Sequence, residues 1–182
     1  MVTVDSNGAL SFALAPVPTV ISPLSRGAPT NDAIYEFSPT ATAIAERIAE
    51  IVAAKGGAAL FVDYGYGDEA AFGETLQAVG GHKYADILER PGEVDLSAHV
   101  DFAALAAAAQ SHALTALGPI SQSDLLNGLG IAARAQKLAR SNPAEVKSLA
   151  AAMDRLTNPD QMGTLFKAFA LLPNGAPRPP GF

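Results

Sequence analysis

The sequence predicts an α/β layered fold with helices flanking a mostly parallel sheet, and two adjacent segments carry that prediction. Between Pro39 and Lys55, Ile44, Ile48, Ile51 and Val52 recur on one helical face, while Glu46, Arg47 and Glu50 lie off it. Directly after Gly56-Gly57, the run Ala58-Ala59-Leu60-Phe61-Val62 is apolar without alternation, the pattern of a strand buried on both faces. A helix feeding such a strand is the building unit of layered α/β proteins. Composition agrees, because 49% hydrophobic residues in a chain of 182 suffice for a core, and about 70% of the unfolded surface is hidden at this size.

The remaining elements follow from local signals. Met1 to Ala15 predicts a hairpin, since Asn7-Gly8 suits a tight turn and Leu10, Phe12 and Leu14 alternate. Pro16 to Asn31 is proline-rich and reads as a connector. Ser38 before Pro39 is a helix start, the serine oxygen capping free amides and the proline filling the first helical position. A short strand is predicted about Leu76 to Val79. Asp101 caps a helix running to about Gln110, with Phe102, Leu105 and Ala109 on one face. Ser121 with Asp124 forms a capping pattern before Leu125 and Leu126, and Ile131 to Arg140 is a separate helix after Gly128 and Gly130. Asn142-Pro143 opens another, with Val146, Leu149, Ala150 and Met153 on one face. Thr164 to Leu172 reads as a strand and the proline-rich end as a tail.

Charge and composition exclude several function classes. A net charge of -6 opposes the counterion release that drives generic nucleic-acid binding. Zero cysteines remove disulfides, thiolate metal sites and cysteine nucleophiles, and leave a reducing compartment as the expectation. Leu10 to Leu24 is apolar but lacks a basic start and is broken by Pro16, Pro18 and Pro23, so no signal peptide is expected. The uncharged stretch after Asp101 is interrupted by Gly118-Pro119, so no membrane span is expected either.

The candidate ligand edge lies just past the apolar run, in Asp63-Tyr64-Gly65-Tyr66-Gly67-Asp68-Glu69, because open α/β sheets bind ligands at the carboxyl ends of their strands. Asp63 is either a cleft carboxylate that orients a substrate amine or a turn cap. Gly65-x-Gly67-x-x-Ala70 formally matches a dinucleotide fingerprint, but Asp68 and Glu69 would repel a pyrophosphate, so a glycine-rich turn is the reading. His82, beside Lys83 and Tyr84, is a cleft or loop residue. His99, between Asp95 and Asp101, lacks metal-ligand spacing, and no metal site is expected. His112 reads as an exposed residue near a helix end. No Gly-x-Ser-x-Gly supports a hydrolase nucleophile.

Six segments, in order, resemble the later half of the MidA-like methyltransferases. They are Gly57 to Gly65, Glu74 to Ala78, His82-Lys83-Tyr84, Asp95 to Phe102, Leu117-Gly118-Pro119-Ile120 and Met162 to Lys167. The Asp63-Tyr64-Gly65 run and the Asp-Leu-x-x-x-Val-Asp-Phe run from Asp95 are the most specific. The resemblance implies part of a class I, Rossmann-like sheet with flanking helices, spanning 35–173 after an N-terminal hairpin and connector at 1–34 and before a flexible tail at 174–182. It implies S-adenosyl-L-methionine as cofactor and methyl transfer to a protein nitrogen such as arginine, with a respiratory complex I subunit as a candidate partner. A bacterial member is expected in the cytoplasm and a eukaryotic one in the mitochondrion. Asp63, His99 and Asp101 would line the substrate side, with Tyr64, Gly65 and His82 as further substrate contacts. The family's glycine-rich cofactor loop has no counterpart between Met1 and Ile34, so cofactor-binding residues are unassigned and the chain looks like the back half of such an enzyme. The alternative is a non-catalytic binding or assembly module derived from the same fold.

Overall fold

The computed structural model describes residues 1–16, 33–67 and 72–182. Most of the predicted connector, and Asp68, Glu69 and Ala70 of the glycine-bearing segment, lie outside them. In chain order the elements are β1 (Val2–Val4), β2 (Leu10–Phe12), α1 (Pro39–Lys55), β3 (Ala59–Tyr66), β4 (Gln77–Gly80), β5 (Lys83–Ala85), β6 (Asp95–Ser97) and β7 (Val100–Asp101). They continue with α2 (Phe102–Gln110), β8 (Leu114–Ser121), α3 (Gln122–Gly128), α4 (Ile131–Ser141), α5 (Val146–Thr157) and β9 (Phe166–Pro173). The chain divides into two compact units, Met1–Glu36 with Phe72–His99, and Phe37–Ala71 with Val100–Phe182.

The first unit holds the expected hairpin, with Val2 opposite Phe12 and Val4 opposite Leu10. Its turn differs from the expected tight Asn-Gly turn. The loop spans five residues, and the Asp5 carboxylate organises it by accepting the N–H groups of Asn7 at 2.8 Å and Ala9 at 2.9 Å, while Gly8 takes the positive φ of 83°. The unit also contains a three-stranded antiparallel sheet in the order β5-β4-β6. Of these strands the sequence predicts only β4, because strands of three residues are too short to show a period.

The second unit carries a four-stranded sheet in the order β7-β3-β9-β8. Since β9 runs antiparallel to both β3 and β8, those two are parallel to each other, and β7 is parallel to β3. One face is covered by α1 and α2. Ala45, Ala49 and Val52 from α1 and Phe102, Leu105, Ala108 and Ala109 from α2 form a buried cluster with Leu114, Phe169 and Leu171. Phe169 anchors it, its ring centroid 6.0 Å from Phe61 and 6.3 Å from Phe102.

Burial differs from expectation in two elements. The buried stripe of α1 is alanine-rich, and Ile44 and Ile51 are 55% and 48% exposed; the helix packs against α2, itself mostly alanine, and close helix contact selects small side chains. Strand β3 is covered on one face only, with Leu60 at 60% and Val62 at 44% exposure. It also runs on to Tyr66, so Asp63 lies within the strand instead of at its end, and Gly65 belongs to the strand instead of a turn.

The starts of α1, α2, α3 and α4 are as predicted, whereas Asn142-Pro143 opens a short 3-10 turn, Pro143–Glu145, and α5 begins only at Val146. The Ser38 hydroxyl oxygen accepts the N–H of Ala41 at 3.2 Å, and Ser121 accepts the N–H of Asp124 at 3.0 Å. Buried Gln122 donates to the carbonyl of Leu156 at 2.9 Å and ties α3 to α5. The unpredicted strand β8 is interrupted in the sequence by Gly118-Pro119, which produces a register shift between Leu117 and Ile120. Gly118, at φ 89° in a cis peptide with Pro119, lies so close to β9 that a Cβ would come 2.6 Å from the Ala168 carbonyl oxygen.

Candidate functional site

The carboxyl half of β3 brings several predicted residues to one region of the second unit. Tyr66 pairs with Asp101 and Gly65 with Val100 in parallel register, and α2 begins at the next residue. Gly65 is there for packing: a Cβ would sit 2.3 Å from the Val100 carbonyl oxygen and 2.8 Å from the Phe102 ring. Its missing side chain is what lets β7 and the start of α2 close onto β3.

Asp101 is half-buried and its Oδ1 accepts the N–H groups of Ala103 and Ala104, both at 3.1 Å. A carboxylate at this position satisfies free amides and meets the positive end of the helix dipole. Asp101 therefore has a structural task whatever else it does. Asp63 lies three residues upstream of Tyr66, about 10 Å along the strand. Its side chain is exposed and accepts the N–H of Tyr64 at 2.9 Å. Across the ladder it faces Lys167, whose ammonium donates to the Thr164 carbonyl. The Tyr64 ring stands edge-on to Phe166, centroids 5.4 Å apart at 85°, which fixes the strand next to Asp63.

His82 and His99 belong to the first unit. His82 is exposed at the turn between β4 and β5 with φ 61°, and Tyr84 beyond it is 82% exposed. His99 is half-buried, and its backbone N–H donates to the Thr75 hydroxyl oxygen at 2.9 Å. Thr75 is held in turn by Glu36, whose carboxylate accepts the Thr75 N–H at 2.7 Å, the Thr75 hydroxyl at 2.5 Å and the Leu76 N–H at 3.0 Å. Sequence reasoning singles out neither Glu36 nor this use of Thr75. The available signal is a lone carboxylate in the otherwise apolar run Ile34-Tyr35-Glu36-Phe37, where a partly buried charge needs partners. Tyr35 beside it bridges to Phe72, ring centroids 5.4 Å apart.

Among the described residues every buried side-chain nitrogen and oxygen has a hydrogen-bond partner, and the space that Gly65 leaves is filled by Val100 and Phe102, so neither an orphaned polar atom nor the gap at Gly65 offers S-adenosyl-L-methionine a hold. No group of three metal-ligating side chains occurs among the described residues either.

Comparison with known proteins gives the context. Residues 1–120 match the family described as "Putative S-adenosyl-L-methionine-dependent methyltransferase". The mitochondrial protein arginine methyltransferase NDUFAF7 of Homo sapiens is 38% identical over 167 residues, covering 91% of this chain and 37% of that protein. The Danio rerio protein of the same name is 35% identical over 169 residues, covering 92% and 39%. A solved Burkholderia thailandensis structure, described as a "likely methyl transferase" bound to S-adenosyl-homocysteine, superposes with a TM-score of 0.83 at 26% identity, over 99% of this chain and 48% of that one. A second structure from that organism gives 0.79 at 25% identity, over 100% and 50%. The chain thus spans about two fifths of these curated relatives and about half of these solved neighbours. The mixed α/β sheet with flanking helices is that of part of a methyltransferase domain, and the chain belongs to this family of S-adenosyl-L-methionine-dependent methyltransferases.

Proposed function

We propose that this chain supplies the acceptor side of a protein arginine methyltransferase whose methyl donor is S-adenosyl-L-methionine. The carrying observation is its 38% identity, along 91% of its length, to a protein arginine methyltransferase. The donor is assigned to the portion of the domain that the relatives have and this chain does not match.

What these residues offer is acceptor chemistry. A guanidinium is planar, carries donors in a fixed fork and pairs with carboxylates. Asp63 is the exposed carboxylate on β3 and is assigned to orient it, next to Tyr64 and Gly65. Asp101 is assigned a lesser part, because its Oδ1 is committed to the α2 cap. His82 and His99, on the other unit, are assigned as separate contacts to the protein substrate. The substrate proposed is a subunit of respiratory complex I, and the compartment is the mitochondrion in a eukaryote or the cytoplasm in a bacterium.

A non-catalytic assembly module is the second reading, favoured by the packing of Val100 and Phe102 into the space at Gly65, which leaves no room for a ligand at that point of β3. One experiment separates the two. The human relative, with its matching segment replaced by this chain, is incubated with S-adenosyl-L-methionine and purified complex I, and methylarginine is sought by mass spectrometry. Methylarginine supports the enzyme; a folded, cofactor-binding chimera that produces none supports the module.

A further inference from the structure

Helix α4 packs on α3 and α5 without burying any of its residues. Its half-buried positions, Ile131, Ala135 and Ala139, recur every four residues, and at about 100° per residue Arg134, Lys137 and Arg140 fall on the opposite face. All three are exposed. On α5 the pattern repeats, with Leu149, Met153 and Leu156 half-buried and exposed Lys147 and Arg155 opposite them. Five of the chain's twelve lysines and arginines thus lie between Ile131 and Thr157, with only two of its eighteen carboxylates. Those two are turned to neutral partners: Glu145 accepts the Ser148 hydroxyl, and Asp154 accepts side-chain N–H groups of Asn158 at 3.1 Å and Gln161 at 2.7 Å. None of the five cations forms an ion pair with a described residue. On α4, Arg140 meets the negative end of the helix dipole, but Arg134 and Lys137 have no such task, and like charges one turn apart repel.

We propose that the outward face of α4, with Arg134, Lys137 and Arg140 in line and Leu138 at 41% exposure beside them, is a docking surface for an acidic helical segment of a partner protein. The occupant follows from charge and size. The three cations extend over about 9 Å of helix, and a helix with carboxylates at every third or fourth position repeats at that spacing. Leu138 gives such a segment an apolar contact next to the charge pairs. Nucleic acid and lipid fit less well, because no aromatic residue lies between Ile131 and Thr157 to stack on a base or enter a bilayer. A long polyanion would also meet the acidic remainder of a chain whose net charge is -6. A short segment feels mainly the charges within a Debye length, about 8–10 Å. Two copies joined symmetrically through this face would set cation against cation.

The test titrates the 182-residue chain into a fluorescein-labelled, alanine-based helical peptide carrying glutamate at every third or fourth position, read by anisotropy at about 50 mM NaCl, where surface charge is weakly screened. Saturable binding with a dissociation constant below about 1 mM is expected, and none to the same peptide with glutamine in place of glutamate. Arg134→Gln/Lys137→Gln/Arg140→Gln is expected to weaken binding at least tenfold with the melting temperature retained, and Lys137→Gln alone at least twofold. Lys55→Gln and Lys83→Gln, at exposed cations away from α4, are expected to leave it unchanged. Absence of saturation, or a loss shared equally by Lys55→Gln and Lys83→Gln, overturns the proposal. Tighter, α4-dependent binding of a single-stranded oligodeoxynucleotide or of phosphatidylglycerol vesicles also overturns it, in favour of nucleic acid or a membrane. No readout involves methyl transfer, so failure of arginine methylation and failure of this docking surface are separate results.

Discussion

Glu36 holds Thr75 by both of its donors, the backbone N–H at 2.7 Å and the hydroxyl at 2.5 Å, and Thr75 passes the connection on by accepting the N–H of His99. The three residues are far apart in sequence and become one network only in the folded first unit. Hydrogen bonds to a charged acceptor contribute about 1.5–3 kcal/mol each, and bonds sharing a partner do not add. Glu36→Ala is expected to cost about 2–4 kcal/mol in urea unfolding and to speed amide exchange at Thr75, Leu76 and His99. Unchanged exchange at those three amides would show that the network is not holding the segment.

Gly65 gives the second prediction. A Cβ added there would meet the Val100 carbonyl oxygen at 2.3 Å and the Phe102 ring at 2.8 Å, so Gly65→Ala forces β7 and the start of α2 away from β3. Overpacking of this kind costs about 1–3 kcal/mol, and more when backbone must move. In a chain of this size each kcal/mol lowers the melting temperature by about 2–4 °C, so a scan resolves it. A melting temperature within about 1 °C of the parent, well under that expected shift, would mean that the contact yields freely.

What could be read in advance divides by range. Ser38-Pro39, Asp101 and the Ser121/Asp124 pair announce their helices because capping is settled within four residues of chain. The short strands β5, β6 and β7 offer no period to detect, and β8 is concealed by Gly118-Pro119. The apolar run in β3 shows which residues could be buried, but whether Leu60 and Val62 are depends on what lies against them, which is not a local property. The same holds at the site. The capping role of Asp101 is legible, whereas the bond from Glu36 to Thr75 spans 39 residues and cannot be inferred from either end.

The half-covered state of β3 reverses an otherwise natural expectation for Val62. Because Val62 is 44% exposed, Val62→Asp is expected to cost less than about 1 kcal/mol, in line with surface substitutions. Phe169→Ala, at a fully buried position between Phe61 and Phe102, is expected to cost about 3–5 kcal/mol. Paired denaturant titrations check both. A collapse of Val62→Asp to the level of Phe169→Ala would place Val62 in a covered core.

Cofactor affinity is a separate matter. With the buried polar side-chain atoms of the described residues already partnered and the space at Gly65 filled by its neighbours, the 182-residue chain alone is expected to give no saturable heat with S-adenosyl-L-methionine in calorimetric titration up to about 1 mM, a binding free energy weaker than about 4 kcal/mol. A dissociation constant in the micromolar range would locate a donor site within this chain.

Asp63 decides whether the acceptor side is placed correctly. Its carboxylate is exposed, half-way along β3, and its visible structural bond is one accepted from the N–H of Tyr64 at 2.9 Å. Asparagine retains an acceptor oxygen for that N–H but loses the charge that pairs with a guanidinium. If Asp63 orients the acceptor, Asp63→Asn in a complete domain should lower methyl transfer by roughly 10- to 1000-fold, the scale of losing one positioned polar contact. The melting temperature should then stay within a few degrees. If Asp63 serves only the strand, the same substitution should cost about 1 kcal/mol of stability or less and leave turnover intact. Lys167 makes the comparison sharper, because it stands opposite Asp63 across the ladder. A loss confined to stability and shared by Lys167→Met would mark the two as a cross-strand charge pair. A loss of turnover in Asp63→Asn that Lys167→Met does not reproduce would mark Asp63 as the acceptor-orienting carboxylate.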